Sequence, residues 1–265
     1  MIKNMFRDFN KYEKIWLITF TSIIVMVTIY FSSKDTKWDS IGSIFMNWVA
    51  SPVSALTGIL TVVLCAKGNI NNYLFGVINS ILYGWIAWKT GYYGDWLLNW
   101  FYFVPTQFLI LLCWKNNLRT DKVDIVIMRK LTGRQKLFVT VTGIAALIAF
   151  GFILYYVDHW FVTYMKRNAT IYGTIEKAFG FALLGPMFDS STEVLQIIAQ
   201  ILLIKRYAEQ WPFWIATNVI TIIMWVGVLI ADPASIPWVL PTLVMWIAFL
   251  INSIYGAYVW YKKPV

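Results

Sequence analysis

An all-α, polytopic membrane fold is what this sequence predicts, and three observations carry the prediction. Apolar residues make up 59% of the 265 and charged residues only 13%, with a mean hydropathy of +0.63, far from the balance of soluble domains. Stretches able to cross about 30 Å of hydrocarbon, roughly 20 residues of helix, recur along the whole chain. Basic residues crowd alternate loops, as they do when successive loops lie on opposite sides of a bilayer.

Eight spans follow: Ile15 to Phe31, Asn47 to Ala66, Tyr73 to Trp88, Trp96 to Trp114, Leu137 to Val157, Ser190 to Ile204, Pro212 to Ile230 and Trp238 to Tyr261. The first follows a basic stretch, as a signal peptide would. Its apolar core is longer than an ordinary h-region and lacks small-x-small cleavage residues, so it reads as a retained helix. Walking the chain through eight crossings places sixteen of the 22 Lys and Arg on the side of both termini and six on the other. The positive-inside rule then makes both termini cytoplasmic. The net charge of +9 is accounted for by topology, and no nucleic-acid partner is expected.

Absent motifs narrow the function. There is no GxxxxGK[ST] loop, no HExxH, and no Ser or Cys paired with a histidine near a span, so neither catalysis nor ATP hydrolysis is expected, and no cofactor. His159 is the single histidine and sits after span five, which argues against a His-ligated metal. Cys65 and Cys113 lie inside spans, and packing is their expected role. Asp158 to Phe188 is the longest non-spanning stretch, read as an interfacial helix on the outer side, and Asn168-Ala169-Thr170 is a glycosylation sequon.

A long-range repeat organises the chain. A gap-free shift of 139 residues aligns Ser51–Trp88 with Ser190–Gly227, pairing Ser51 with Ser190, Lys67 with Arg206 and Asn79 with Asn218. A shift of 146 then pairs Trp100 with Trp246 and Trp114 with Trp260. Spans two to four and six to eight thus form two triplets with span five between them. Three crossings plus one is an even number, so the triplets start on the same side and run parallel, one of the two ways transporters build similar halves around a central site. The expected organisation is 1–46 as tail, extra helix and loop; 47–115 as the first repeat; 116–188 as cytoplasmic loop, linker helix and outer loop; and 189–265 as the second repeat and tail.

Polar side chains inside spans are costly against lipid and are expected to face a neighbouring helix or a wet cavity. On span six Asp189, Glu193, Gln196 and Gln200 share one helical face. Span seven carries Trp214, Asn218 and Thr221, and span three carries Asn79 in the same spacing. Span four contributes Trp100 and Gln107, and span eight Asn252 and Tyr255. Amides, one or two carboxylates and indole faces suit a flat-ringed solute bearing hydroxyls, because amides both donate and accept and indoles stack or hold a cation. Helix-to-helix gluing is the competing role for such groups. From Glu193, Gln196, Gln200, Trp214, Asn218, Thr221, Asn79, Trp100, Gln107, Asn252 and Tyr255 a substrate site is expected.

Specific runs also resemble a known family. Asn72-Tyr73-Leu74-Phe75-Gly76-Val77-Ile78-Asn79, Asp189-Ser190, Arg206-Tyr207 with Trp211, Trp214 and Asn218, and Asn252 with Tyr255-Gly256 before Trp260 are similar to the PnuC-type nicotinamide riboside transporters over about residues 45–262. Where relatives often have Asn-x-Tyr-Gly-Trp at the end of the first repeat, this chain has Gln107-Phe108-Leu109-Ile110-Leu111. The resemblance implies a three-plus-one-plus-three fold like the sugar-carrying SWEET proteins, facilitated diffusion of nicotinamide riboside, trapping by a separate kinase, and a bacterial inner membrane. Thiamine or riboflavin as substrate, and a binding subunit that needs a partner ATPase, are the alternatives. The bilayer is the expected partner besides the solute, and homo-oligomers stay open.

Overall fold

The computed structural model describes residues 9–90, 92–118, 125–165 and 171–262, so the sequon at Asn168 lies outside the described residues. The chain is a polytopic helical membrane protein, and each expected span is helical. Helix α1 covers Lys11–Asp35; α2 (Ile41–Phe45) runs through a π-helical turn into α3 (Ser51–Lys67); α4 covers Asn72–Thr90; and α5 (Tyr93–Leu97) runs through a second π turn into α6 (Val104–Lys115). Then come α7 (Gly133–Tyr164), α8 (Ile171–Phe179), α9 (Leu184–Ile204), α10 (Gln210–Ala231) and α11 (Ile236–Lys262). Among the described residues the only β pairings are isolated bridges.

Seven of these helices are long and apolar enough to cross a membrane; α4 is the expected span that is not among them. Asn72, Asn79 and Ser80 dilute its apolarity. It tolerates them because it packs against α3 and α6 rather than facing lipid on all sides. The stretch expected to be non-spanning shrinks at both ends, since α7 continues past Asp158 to Tyr164 and α9 begins at Leu184. Hydropathy ends a span where polar residues begin, but backbone hydrogen bonding carries the helix on into the interface.

Both π turns have a local cause. Pro52 and Pro105 stand at the start of α3 and α6, where a proline ring lacks an N–H and crowds the carbonyl four residues back. The preceding turn widens, and Ser51 and Val104 donate to Met46 O and Asn99 O, five residues upstream. At the start of α7, Thr132 and Gln135 form a reciprocal capping box. Thr132→Ala is expected to lower stability by about 1 kcal/mol, read as a fall in the thermal midpoint of the purified protein with solute binding unchanged.

The helices assemble around α3 and α11, which pack on each other; α4 packs on the first and α10 on the second, with α6 against α4 and α9 against α10. Helix α7 lies outside against α9 and buries only Gly151 and Leu154, so nearly all its apolar side chains face outward. Helix α1 lies across α3 and α11. Two tryptophans that the 146-residue shift pairs meet at one end of the bundle, their ring centroids 6.4 Å apart. Trp114 Nε1 donates to Leu203 O at 3.2 Å, and Trp260 Nε1 donates to Ala66 O at 3.0 Å. Trp114 of α6 thus closes the end of α9, and Trp260 of α11 the end of α3.

The same end shows a one-residue departure from the gap-free alignment. Helix α3 ends at Gly68 (φ 73) and α9 is followed by Arg206 (φ 63). Their N–H groups bond Cys65 O and Leu203 O at 2.8 and 2.9 Å. Geometry therefore matches Arg206 with Gly68, where the sequence shift pairs it with Lys67. The Arg206 guanidinium is held by Ile127 O at 3.1 Å. Around it, Val126 N bonds Gly68 O, Arg129 N bonds Arg206 O and Ala208 N bonds Arg129 O, so the loop before α7 is laced to both turns.

Candidate functional site

Between α4, α6, α9, α10 and α11 lies a narrow cavity of about 90 Å³. Helix α4 supplies Asn72, Gly76, Asn79 and Tyr83; the second π turn and α6 supply Asn99, Phe103 and Gln107; α9 supplies Gln196 and Gln200; α10 supplies Trp211, Trp214 and Asn218; and α11 supplies Trp246, Phe249 and Ser253. Among the described residues no Lys, Arg or His lines it. The surface is one of amides and aromatic rings.

Local structure explains how these groups converge. Gly76 leaves room for the Gln107 amide: a Cβ there would stand 2.6 Å from it. Gly58 on α3 plays the same part for Asn79, Met245 and Phe249, each 2.8 Å from where its Cβ would be. Gly256 on α11 receives the Trp211 ring, which sets that indole against the cavity. Phe103 and Trp214 present rings 6.2 Å apart and inclined by 31°, an aromatic wall on which a flat ring can stack.

Some of the polar atoms are already satisfied. Gln200 Nε2 donates to Thr106 Oγ1 at 3.0 Å, Asn218 Nδ2 to Ser253 Oγ at 2.9 Å and Asn79 Nδ2 to Ser54 O at 2.8 Å. Others are enclosed without a protein partner: the acceptors Gln107 Oε1 and Asn218 Oδ1, and the donors Trp211 Nε1 and Trp246 Nε1. Buried polar atoms are ordinarily hydrogen-bonded. Two acceptors and two donors lining one void are what a hydroxyl- and amide-bearing solute would use.

Six of the expected site residues line this cavity: Asn79, Gln107, Gln196, Gln200, Trp214 and Asn218. Five do not. Asn252 Nδ2 is bonded to Val62 O at 2.7 Å, and its neighbour Ser253 faces the cavity instead. Tyr255 reaches away to α1, its hydroxyl donating to Glu13 Oε1 at 3.0 Å. Trp100 lies over Gly84 and donates to Ile81 O at 3.0 Å. Thr221 is buried off the cavity. Glu193 turns toward two other carboxylates near α8. Spacing along one helix does not say which neighbour each side chain meets. Cys65 packs in the core as expected while also touching the cavity, and Cys113 is exposed rather than packed.

At the end near α8 the void is closed. Tyr83 donates to Asp95 Oδ2 at 2.8 Å, Trp225 Nε1 to the Tyr83 hydroxyl at 3.2 Å, and Tyr92 to Met224 O at 3.2 Å. Gln196 joins this cluster to the cavity through Asp95 Oδ1 at 3.3 Å. From α8, Tyr172 donates to Asp189 Oδ2. Burial, and after it the adjacent Asp189, hold the Tyr172 hydroxyl well above its usual pKa, so it remains a donor. Asp95 escaped the sequence reading, although a lone carboxylate at the head of an apolar span is itself a signal. Ser253 carried no signal beyond its type, and Trp246 only its repeat pairing with Trp100.

The chain is similar to proteins named as transporters. A family model described as nicotinamide mononucleotide transporter matches residues 47–262. The nicotinamide riboside transporter PnuC of Neisseria mucosa is 31% identical over 263 residues, 98% of this chain and 84% of the relative. PnuC of Haemophilus influenzae is 30% identical, covering 95% and 90%. A crystal structure of the vitamin B3 transporter PnuC superposes with a TM-score of 0.71 at 30% identity, over 96% of this chain and 92% of that one. With a cavity between its membrane helices and a likeness running nearly end to end, the chain belongs to the PnuC family of membrane transporters.

Proposed function

We propose that this protein imports nicotinamide riboside by facilitated diffusion, as a uniporter whose two triplets rock about the cavity. The observation that carries the choice of solute is the lining. The family description speaks of a mononucleotide and the relatives' names of a riboside, which differ by a phosphate. A phosphate dianion in a low-dielectric site needs Arg, Lys or a helix N-terminus. This cavity has no basic lining and has Asp95, Asp189 and Glu193 just beyond one end. A cationic pyridinium ring with a neutral ribose matches that field; a phosphate opposes it.

In this reading Phe103 and Trp214 stack on the ring, while Gln107, Asn218, Gln196 and Gln200 serve the amide and the ribose hydroxyls, with Trp211 and Trp246 as donors. Residues 47–115 and 189–265 form the moving repeats, and the reciprocal Trp114 and Trp260 bonds support their parallel relation. Both termini face the cytoplasm of a bacterial inner membrane, and a separate kinase traps the riboside inside. The chain itself does no chemistry.

Liposomes holding only this protein test both halves of the proposal. Labelled riboside is expected to equilibrate down its gradient without nucleotide, and calorimetry is expected to rank riboside above thiamine, riboflavin and the mononucleotide. A strict requirement for a partner ATPase would replace the uniporter with a binding subunit. Tighter binding of thiamine or of the mononucleotide would overturn the assignment of the solute.

A further inference from the structure

On the outer side of the bundle, α7 and α9 touch closely at Gly143, where a Cβ would stand 2.8 Å from Ile198 Cδ1, and at Leu147, whose carbonyl accepts from Ser190 Oγ at 2.6 Å. Toward the end where Trp114 and Trp260 meet, a groove of about 550 Å³ lies between the same two helices. It runs along α7 from Thr142 to Arg134, a rise of about 12 Å, against the roughly 15 Å depth of one leaflet's hydrocarbon. Its walls are of two kinds. Phe138, Ile198 and Ile201 line it along the helices, whereas Arg134, Lys205 and Tyr207 line it at their ends. No carboxylate lines it.

Neither cation is spent within the protein. The ion pairs formed among the described residues join Lys67 to Glu13 and Lys136 to Glu209, and Arg134 and Lys205 enter neither. Glu209, two residues past Tyr207, is already held by Lys136 Nζ at 3.1 Å and by the Leu131 N–H at 2.9 Å. Tyr207 is only 9% exposed and lines the groove, and its hydroxyl bonds no other described residue. The start of α7, a helix of 32 residues, adds the positive end of its dipole. Uncompensated positive charge at the mouth of an apolar slot between membrane helices suits an amphiphile with an anionic head.

We propose that this groove holds one anionic phospholipid, its phosphate among Arg134, Lys205 and Tyr207 and an acyl chain along Phe138, Ile198 and Ile201. The guanidinium offers a planar fork to phosphate oxygens, the ammonium a point charge, and the phenol a neutral donor. A zwitterionic lipid would bring its own cation toward Arg134 and Lys205, so the net charge of the head group decides. A free phosphate would leave the apolar walls without an occupant. The lipid fills the gap between α7 and the helix that carries Gln196 and Gln200 to the cavity. Its binding is independent of which solute that cavity takes.

The full chain, purified in a neutral detergent and stripped of lipid, is titrated with phosphatidylglycerol, with phosphatidylcholine of the same acyl chains, and with inorganic phosphate. Native mass spectrometry counts the bound lipid, and thermal unfolding reads the stabilisation. One phosphatidylglycerol per chain is expected to bind at least about tenfold more tightly than phosphatidylcholine and to raise the thermal midpoint, with no rise from inorganic phosphate. Arg134→Ala with Lys205→Ala is expected to weaken it on the order of 30-fold, two interfacial charges lost. Lys11→Ala with Lys14→Ala, which removes two exposed charges of α1, is expected to change it less than about threefold. Equal binding of the two lipids overturns the anionic head group. Stabilisation by inorganic phosphate as large as that by the lipid makes this a free-anion site and overturns the lipid. Equal losses in the two double variants, or no loss in the first, overturn the groove. Should the first double variant fail to fold, Ile201→Trp fills the slot from an exposed position on α9 without altering charge, and undiminished lipid binding in it overturns the site.

Discussion

Asn218→Leu is expected to weaken riboside binding on the order of 100-fold, about 2.8 kcal/mol, while the protein still inserts and folds. The size follows from two losses at one position. Asn218 Oδ1 is enclosed and has no protein partner, so in the free protein it is held ready for a solute donor. Leucine removes that acceptor and leaves the solute's hydroxyl or amide N–H buried without a bond, the situation in which polar sites discriminate most strongly. The amide's other end donates to Ser253 Oγ at 2.9 Å, and losing that bond costs stability by only about 1 kcal/mol. Calorimetry and thermal unfolding on the same preparation separate the roles. A large fall in midpoint with unchanged affinity would make Asn218 helix glue and remove it from the site.

Glu13→Ala is expected to lower stability by about 3 kcal/mol, at the low end of what breaking a buried ion pair costs, because Lys67 keeps some contact with solvent. Glu13 is 2% exposed. Its Oε2 receives Lys67 Nζ at 2.8 Å and its Oε1 the Tyr255 hydroxyl at 3.0 Å. It also closes the cap of α1, accepting from the Asn10 backbone at 2.8 Å, while Asn10 Nδ2 donates to the Tyr255 hydroxyl at 2.8 Å. Lys67 belongs to α3 and Tyr255 to α11, which pack on each other, so one carboxylate from α1 ties the two together. Thermal unfolding in detergent measures the loss. A midpoint unchanged within a degree would show that the pair contributes nothing beyond its desolvation cost.

The spans, their order and the pairing of Trp114 with Trp260 were legible in the chain because they depend on local quantities. Hydrophobic length selects what crosses a bilayer, and a repeat is a property of the sequence itself. Six of eleven expected site residues face the cavity: Gln196 and Gln200 on α9, Trp214 and Asn218 on α10, Asn79 on α4 and Gln107 on α6. Local pattern failed at Asn252 and Tyr255. Ser253 faces the cavity, Asn252 caps Val62 O on α3, and Tyr255 answers Glu13 some 240 residues away in the chain.

What the sequence by itself determined is therefore a polytopic helical membrane protein of the transporter family, with amides and indoles placed inside its spans. Only the tertiary structure decided which of those groups share a void, that Asp95 joins Asp189 and Glu193, and that α1 clasps the seam. The physical reason is that a helix repeats every 3.6 residues whatever surrounds it, so periodicity defines a face. The partner of that face is set by how helices far apart in sequence pack, and by the glycines at 58, 76 and 256 that let them come close.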